Sequence, residues 1–486
     1  MKKNNNNIRL RFAPSPTGFL HIGSLRTALF GYLIAKSLGG KFILRIEDTD
    51  QKREVAGAAD KLVLVLEKMG ITFDEGPHLD GSFGPYTQTE RLNIYQKYAN
   101  ELLQTNKVYR CFCTEERLQI MRAEQEANKQ APRYDRHCRD LTEAEVQTKI
   151  KAGEKFVIRQ KMPLTGEVTV YDELRGHIKF PAADLDDQIL IKSSGVPTYQ
   201  LANVVDDHLM EISHVTRAVE WLPSYPKNAL LYQDFGWTPP KFIHLPLILN
   251  KEGGGKLSKR RGDVFVEDYL NKGYLPEALI NFCVLLGWHP KSNQEIWSLT
   301  ELEDGFCIDG LGASPAVFDL EKLDYYNSYY IRQKSLSDLT TLCAPYLQAA
   351  GQEITDRKYL EKIISLAQNH LKKLSDVVSV TNFLVNLPSY DQELLRWKSL
   401  TIQKSLNNLK EIKKELEKIE TEDWTKEYLE KNILAWIINN GYKNGDYLWP
   451  LRVALSGQKN SPSPFEIAWA LGKIETLNRI DSAINP

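Results

Sequence analysis

A histidine and two lysines on separate glycine-containing loops define the first chemistry this sequence could perform. His21 follows Pro14-Ser15-Pro16-Thr17-Gly18, and Lys256 and Lys259 follow Gly253-Gly254-Gly255. A histidine in the turn between a strand and a helix can donate to phosphate oxygens, where backbone N–H groups and the helix dipole also favour an anion. Lysines on a second loop match the charge that develops on departing pyrophosphate. Glycines beside them let such a loop close on a nucleotide and reopen. The pair of loops therefore suits attack of a carboxylate on the α-phosphate of ATP. Taken singly, each element is ordinary: His21 as a loop or capping residue, the basic loop as solvated surface. A second constellation is Cys111-x-Cys113 with Cys138, which has the spacing of a two-thiolate zinc knuckle. Tyr134, His137 and Asp140 all lie within reach as a fourth ligand, and three thiols without metal are the competing reading.

The elements that must position these residues follow from periodicity. Residues 8–13 alternate apolar and polar and predict a strand. Ser24 stands where an N-cap belongs, and Leu25, Ala28, Leu29, Tyr32 and Leu33 repeat at helical spacing up to Gly39-Gly40. Phe42–Ile46 predicts the next strand, so the unit is strand–loop–helix–strand, with its ligand site at the carboxyl end of the strand. From 107 to 187 the text changes to cysteines, basic residues and short alternating segments (156–163, 168–181), which predicts an α+β insertion. Sheet-like text resumes at Gln188–Lys192, passes Pro197–Asn203 and ends at Ile243–Leu249. Beyond about 265, apolar stripes over 276–287, 357–387, 399–419 and 425–440 predict helices. The expected fold is an α/β Rossmann-like catalytic domain with an α+β insertion, followed by all-α C-terminal domains. The expected boundaries are 1–106 and 188–252 for the two halves of the catalytic domain, 107–187 for the insertion, 253–328 for the second loop and a helical domain, and 329–486 for the helical remainder.

Composition bounds the class. The chain has 486 residues, 42% of them hydrophobic and 26% charged, which excludes wholesale disorder and collagen-like repeats. No apolar run is long enough for a membrane helix, and no secretory-type stretch follows Met1, so a soluble cytoplasmic protein is expected. Six cysteines suit a reducing compartment. A net charge of −1 argues against a general polyanion coat but permits nucleic acid held by a local basic surface.

The stretch Arg11-Phe-Ala-Pro-Ser-Pro-Thr-Gly-Phe-Leu-His-Ile-Gly-Ser24 resembles the "HIGH" region of the class I aminoacyl-tRNA synthetases, and Lys256-Leu-Ser-Lys-Arg260 resembles their "KMSKS" loop. The Ala-Pro-Ser-Pro-Thr-Gly lead-in is similar to the glutamyl branch. So are Glu47-Asp-Thr-Asp50, Pro197–His208, His214-Val-Thr-Arg217, Ser314–Leu323 and Pro450–Gly457. The resemblance runs from about residue 8 to 482. Three positions depart from it: Ser24 ends the first motif where the class has histidine, and Leu257 and Arg260 replace Met and Ser in the second.

The resemblance implies a ligase that joins L-glutamate to tRNA(Glu) with ATP and Mg2+, through glutamyl-adenylate, and that acts as a monomer without a membrane. His21, Lys256 and Lys259 would be catalytic. A glutamate substrate needs arginine for its side-chain carboxylate and an acid for its ammonium. Arg11 and Arg217, at two strand ends, and Glu47 suit these tasks, and the family adds Ala13, Ser15, Tyr199 and Asn203. Pro14, Thr17, Gly18, His21, Gly23, Ser24, Glu220, Leu249 and Lys259 would form the ATP side. Some members of the family hold zinc through C-x-C…C-x-H; here Cys111, Cys113 and Cys138 are followed by Asp140, with Tyr134 as the alternative fourth ligand. Matching Leu366–Leu374 to the family pattern puts His370 where an arginine of a C-terminal helix would read the third anticodon letter. A neutral imidazole cannot make the bidentate fork, so relaxed charging of tRNA(Gln) as well is the expectation, with a solvent-facing His370 as the plain alternative. Two rival classes are an inactive tRNA-binding paralogue, which should lack His21, Lys259 or the arginines, and another class I nucleotidyltransferase, which would have little use for the long helical remainder. A glutaminyl enzyme would carry β-barrel anticodon domains rather than helices.

Overall fold

Alternating text need not leave one face of a strand wet, since Arg9 and Arg11 of the first strand are both buried with their charges paired. In the computed structural model, which describes residues 7–16, 18–50, 55, 57–79, 81–251, 254–257 and 264–485, β1 (Arg9–Phe12) is buried at all four positions. Thr17 and Lys259 lie outside the described residues. After β1 comes α1 (Ile22–Ser37), then β2 (Lys41–Leu44), α2 (Ala58–Lys68) and α3 (Leu92–Gln104). The next segment holds β3 (Val108–Cys111), α4 (Glu115–Ala127), α5 (Glu143–Lys151), β4 (Val157–Gln160), β5 (Glu167–Asp172), β6 (Gly176–Pro181) and β7 (Ile189–Ile191). It is followed by α6 (Tyr199–Leu209), β8 (His214–Ala218), α7 (Tyr225–Phe235), β9 (Lys241–Leu245), β10 (Ile248–Asn250) and β11 (Ala316–Phe318).

The main sheet has the order β2-β1-β8-β9-β5-β6. Its pairs are parallel except the β5–β6 hairpin. This is a Rossmann-like sheet whose carboxyl edge gathers the ends of β1, β2 and β8. A separate antiparallel sheet β3-β4-β7 belongs to the α+β insertion. The two segments read together as insertion therefore divide: 157–160 joins β3 and β7, while the hairpin 167–181 extends the main sheet through Asp172 opposite Phe242.

Two local expectations are corrected. The N-cap of α1 is His21, not Ser24: His21 is extended (φ −72, ψ 144), and its Nδ1 accepts the N–H of Gly23. Histidine is outside the usual capping set, so pattern reasoning passed over it. Pro197–Asn203 is not strand text, since α6 begins at Tyr199. Leu201 through Asp207 are all buried, and so short an apolar run can be read as strand or helix from its text alone.

The chain divides into two compact units, Met1–Asn271 with Pro276–Leu323, and Lys272–Leu275 with Asp324–Pro486. The second is helical. The stretch 357–387 is two helices, Arg357–Ala367 and Val377–Val385, separated by 3-10 turns in which Asp376 accepts the N–H groups of Lys372 and Lys373. Its core centres on Leu409, Ile412, Leu429, Ile433 and Leu451. Arg479 is buried there and donates to the carbonyls of Phe383, Leu384 and Leu455, near the ends of two helices whose last carbonyls lack intrahelical partners. Among the described residues no helix is long and apolar enough to cross a membrane. Arg479→Ala would orphan three buried carbonyls and should cost about 3–5 kcal/mol, seen as an earlier loss of helical circular dichroism on heating.

Candidate active site

Two adjacent carboxylates on α6, Asp206 and Asp207, organise the floor of the site. Successive residues of a helix diverge by about 100°, so the pair serves two sets of partners. Asp206 accepts from Gln88 (2.9 Å), Arg91 (2.7 Å) and the Tyr95 hydroxyl (2.8 Å). Asp207 Oδ1 accepts from Arg11 Nε (2.9 Å) and Arg45 Nη1 (2.7 Å). Burial works to raise the Asp207 pKa, but the two guanidiniums outweigh it and hold it below the ordinary carboxylate range. Arg45, wholly buried, also donates from Nη2 to Glu47 Oε1 (3.1 Å). Asn203 Nδ2 donates to the same oxygen at 3.2 Å. Burial keeps the Glu47 pKa raised despite these partners. Arg11, Glu47 and Asn203, named from sequence, thus belong to one buried network. Arg45, Asp206 and Asp207 are the members that residue-by-residue reading missed. A run of two acids on an apolar helix, facing an arginine next to a strand, was the available signal.

Arg217, on β8, stands apart. It is 5% exposed, and its Nε donates to His244 Nε2 at 2.9 Å. Neither Nη1 nor Nη2 has a hydrogen-bond partner among the described residues, and no carboxylate pairs with it. Burial pulls its pKa below the usual arginine value, with the Tyr199 hydroxyl acting in the opposite direction. Tyr199 also lies in the field of Glu47 and Arg11, and its ring packs 4.6 Å from that of Trp221. A buried guanidinium with two bare nitrogens is costly. A ligand carboxylate would complete it with a bidentate pair of charge-assisted bonds.

The loop from β1 to α1 supplies the phosphate side. The Pro14 carbonyl accepts the N–H of Glu47, tying the loop to the chain beyond β2. Ala13 and Pro14 are half-buried, and Ser15 is exposed. Gly18 has φ +127, a conformation that residues with a Cβ rarely adopt. Because His21 Nδ1 accepts the N–H of Gly23, the neutral ring carries its proton on Nε2, the nitrogen a phosphate oxygen would require. Gly23 and Ser24 lie in the first turn of α1, and a Cβ at Gly23 would come within 3.2 Å of His21 Nδ1. Lys256 pairs with Glu220 (2.6 Å) on the surface, and bridges back to Leu249 on β10. The structure so joins three residues expected on the nucleotide side. Thr17 and Lys259 stand outside the described residues.

In the insertion, the sulfurs of Cys111, Cys113 and Cys138 all lie within 4.8 Å of one another. The Tyr134 hydroxyl is 3.2 Å from Cys111 Sγ and 3.5 Å from Cys113 Sγ. Asp140 is not part of this cluster. The neighbouring Cys138 thiol, with the Tyr134 hydroxyl, lowers the Cys111 thiol to about 4, which favours the thiolate. Three sulfurs this close supply three of the four donors a structural zinc site takes, with the Tyr134 hydroxyl beside them. His370 lies in the 3-10 turn Gln368–His370 after the helix Arg357–Ala367, and is exposed.

A parallel sheet with arginines at its strand ends, a histidine-capped helix behind its first turn and a separate helical unit define a class. The family model described as "tRNA synthetases class I (E and Q), catalytic domain" matches residues 7–325, and "Anticodon binding domain" matches 338–484. The fold is that of a class I tRNA synthetase. Relatives carrying the name glutamate–tRNA ligase are 46% identical, in Clostridium botulinum strain Hall and in Clostridium acetobutylicum, each over 99% of this chain and 98% of the relative. A solved glutamate tRNA ligase from Elizabethkingia meningosepticum, in complex with its amino acid, superposes with a TM-score of 0.91 at 36% identity, covering 99% of both chains. The chain belongs to the glutamate–tRNA ligase family. Arg217→Ala should raise the KM for glutamate by about a hundredfold, the equivalent of ~3 kcal/mol from two charge-assisted bonds, with the KM for ATP little changed in a steady-state charging assay.

Proposed function

We propose that this chain attaches L-glutamate to tRNA(Glu) in two steps. The glutamate α-carboxylate attacks the α-phosphate of ATP, giving glutamyl-adenylate and pyrophosphate, and the glutamyl group then passes to the 3′-terminal adenosine of the tRNA. The observation that carries this reading is Arg217, a buried guanidinium with both Nη nitrogens bare in the pocket of a class I synthetase. Arg217 receives the side-chain carboxylate, and Tyr199 and Asn203 line the pocket. Arg11 and Glu47 shape the end that takes the α-amino and α-carboxylate groups, and Ala13 and Ser15 meet it from the first loop. Glu47 Oε1 already accepts from Arg45 and Asn203, so the acid is oriented before an ammonium arrives. ATP enters with its Mg2+ as part of the substrate. His21 Nε2–H and the N-terminal turn of α1 hold its phosphates, with Pro14, Thr17, Gly18, Gly23 and Ser24 around them. Glu220 and Leu249 take the adenosine side. Lys256 and Lys259 act on the developing charge, and release of Lys256 from Glu220 would accompany that step.

The insertion, 107–187, receives the acceptor end of the tRNA, residues 253–328 the stem, and 329–486 the anticodon. The chain works as a monomer in the cytoplasm. Zinc is held by Cys111, Cys113 and Cys138 with the Tyr134 hydroxyl as fourth donor, a replacement for Asp140. It would cross-link the end of β3, the loop that follows it and the turn holding Cys138 ahead of α5. Elemental analysis should then give about one zinc per chain, as four-donor structural sites do, and Cys111→Ser should lose it. Metal-free protein with unchanged charging would remove zinc from this account.

The exposed, short His370 favours relaxed tRNA choice, with glutamate placed on tRNA(Gln) as well as tRNA(Glu). Charging of both transcripts with labelled glutamate and with labelled glutamine tests both levels of the reading. Glutamate on tRNA(Glu) is the expected product, and glutamine as the preferred amino acid would overturn the assignment. A tRNA(Gln) rate more than roughly a thousandfold below the cognate, about 4 kcal/mol, would overturn only the relaxed choice.

A further inference from the structure

Behind Arg217 lies a short relay of buried side chains that no step above uses. An arginine Nε always carries hydrogen, so the 2.9 Å bond from Arg217 Nε makes His244 Nε2 the acceptor. The ring proton therefore sits on Nδ1, which donates to Asp172 Oδ2 at 2.7 Å. The same oxygen accepts the backbone N–H of His244 (3.0 Å), and Asp172 Oδ1 accepts that of Leu174 (3.0 Å). Both His244 and Asp172 are wholly buried. Arg175 closes the far side, donating to the His244 carbonyl at 2.6 Å. The guanidinium carbon of Arg217 stands 4.8 Å from the Phe242 ring centre, so an aromatic face limits its swing.

A guanidinium offers a carboxylate either its Nε side or its Nη1–Nη2 end. The relay occupies the Nε side and leaves the end bare. We propose that Asp172 and His244 are positioning residues that present the Nη1–Nη2 end of Arg217 to the side-chain carboxylate of the amino acid, and so set the preference for a carboxylate over an amide. This rests on the reading of Arg217 as the receptor for that carboxylate. A carboxylate accepts at both prongs, whereas an amide turns one N–H2 donor against a donor. Asp172 is the last residue of β5, and its contact with β9 also docks the β5–β6 hairpin on the main sheet. The hairpin thereby reaches the specificity pocket without touching the substrate.

The test uses the full chain in steady-state charging of tRNA(Glu), with Asp172→Asn, His244→Ala, His244→Gln and Arg217→Ala. In Asp172→Asn either orientation of the amide sets its N–H2 against a backbone donor, the Leu174 N–H or the His244 N–H, and the negative charge behind Nδ1–H is gone, so the ring is held less firmly against Arg217 Nε. Asp172→Asn and His244→Ala should raise the KM for glutamate about tenfold or more while the KM for ATP moves less than about twofold. Both should narrow the preference for glutamate over glutamine. His244→Gln, whose Oε1 can accept from Arg217 Nε, should recover most of the loss. Equal rises in both KM values, or no recovery in His244→Gln, would assign the relay to fold stability and overturn the proposal. So would an unchanged KM for glutamate in the relay variants when Arg217→Ala raises it. If Arg217→Ala leaves that KM unchanged, the receptor reading itself fails. Should His244→Ala not fold, Asp172→Asn, which preserves volume, decides alone.

Discussion

Arginine charge buried at the carboxyl edge of a parallel sheet is the constraint on which the catalytic unit depends. Each such charge must find a partner inside the protein, because the helices on both faces exclude water. Asp206 and Asp207 meet that requirement for Arg91, Arg11 and Arg45 from a single helix wedged against β1 and the chain beyond β2. The helix is therefore positioned by charge as much as by its apolar residues. Arg217 is the exception within the group, since among the described residues its guanidinium donates to a histidine nitrogen and to no carboxylate. A ligand carboxylate at its Nη end would meet a charge already held in place.

The phosphate side works by a different economy of groups. One histidine caps α1 through Nδ1 and by that bond fixes which nitrogen carries the proton. The cap orients the ring at the helix N-terminus, where the dipole favours the same anion the ring would contact. The start of α1 depends on this side chain, so altering His21 disturbs the helix as well as the phosphate contact proposed for the ring. On the opposite loop the Lys256–Glu220 pair is exposed, and an exposed pair is weak enough to exchange its partner for a nucleotide.

The second unit answers a different problem. Its helices bury a broad apolar core, and Arg479 ties two helix ends together through their unpaired carbonyls. A break at Gly472 (φ +79) bends the helix Pro464–Ile484 without further strain. The match to an anticodon-binding model over 338–484 gives this unit a role that no catalytic motif marks.

The class of the fold was legible in the sequence, because it depends on local text: turn residues, period and motif order. The sequence also located Arg11, Glu47, Asn203 and Arg217 as individual groups. Tertiary structure alone decided which of those arginines was already neutralised and which was bare, since Arg11 and Asp207 are 196 residues apart and Arg217 and His244 come from neighbouring parallel strands. It decided that His21 rather than Ser24 caps α1, because the extended angles of His21 bring its Nδ1 to the Gly23 N–H although histidine is outside the usual capping set. It decided that Tyr199 opens a helix, because a short apolar run does not separate helix from strand by its text alone. And it brought Tyr134, rather than Asp140, up to the three thiols, as loop closure in space follows the packing of the insertion and not the spacing of its cysteines.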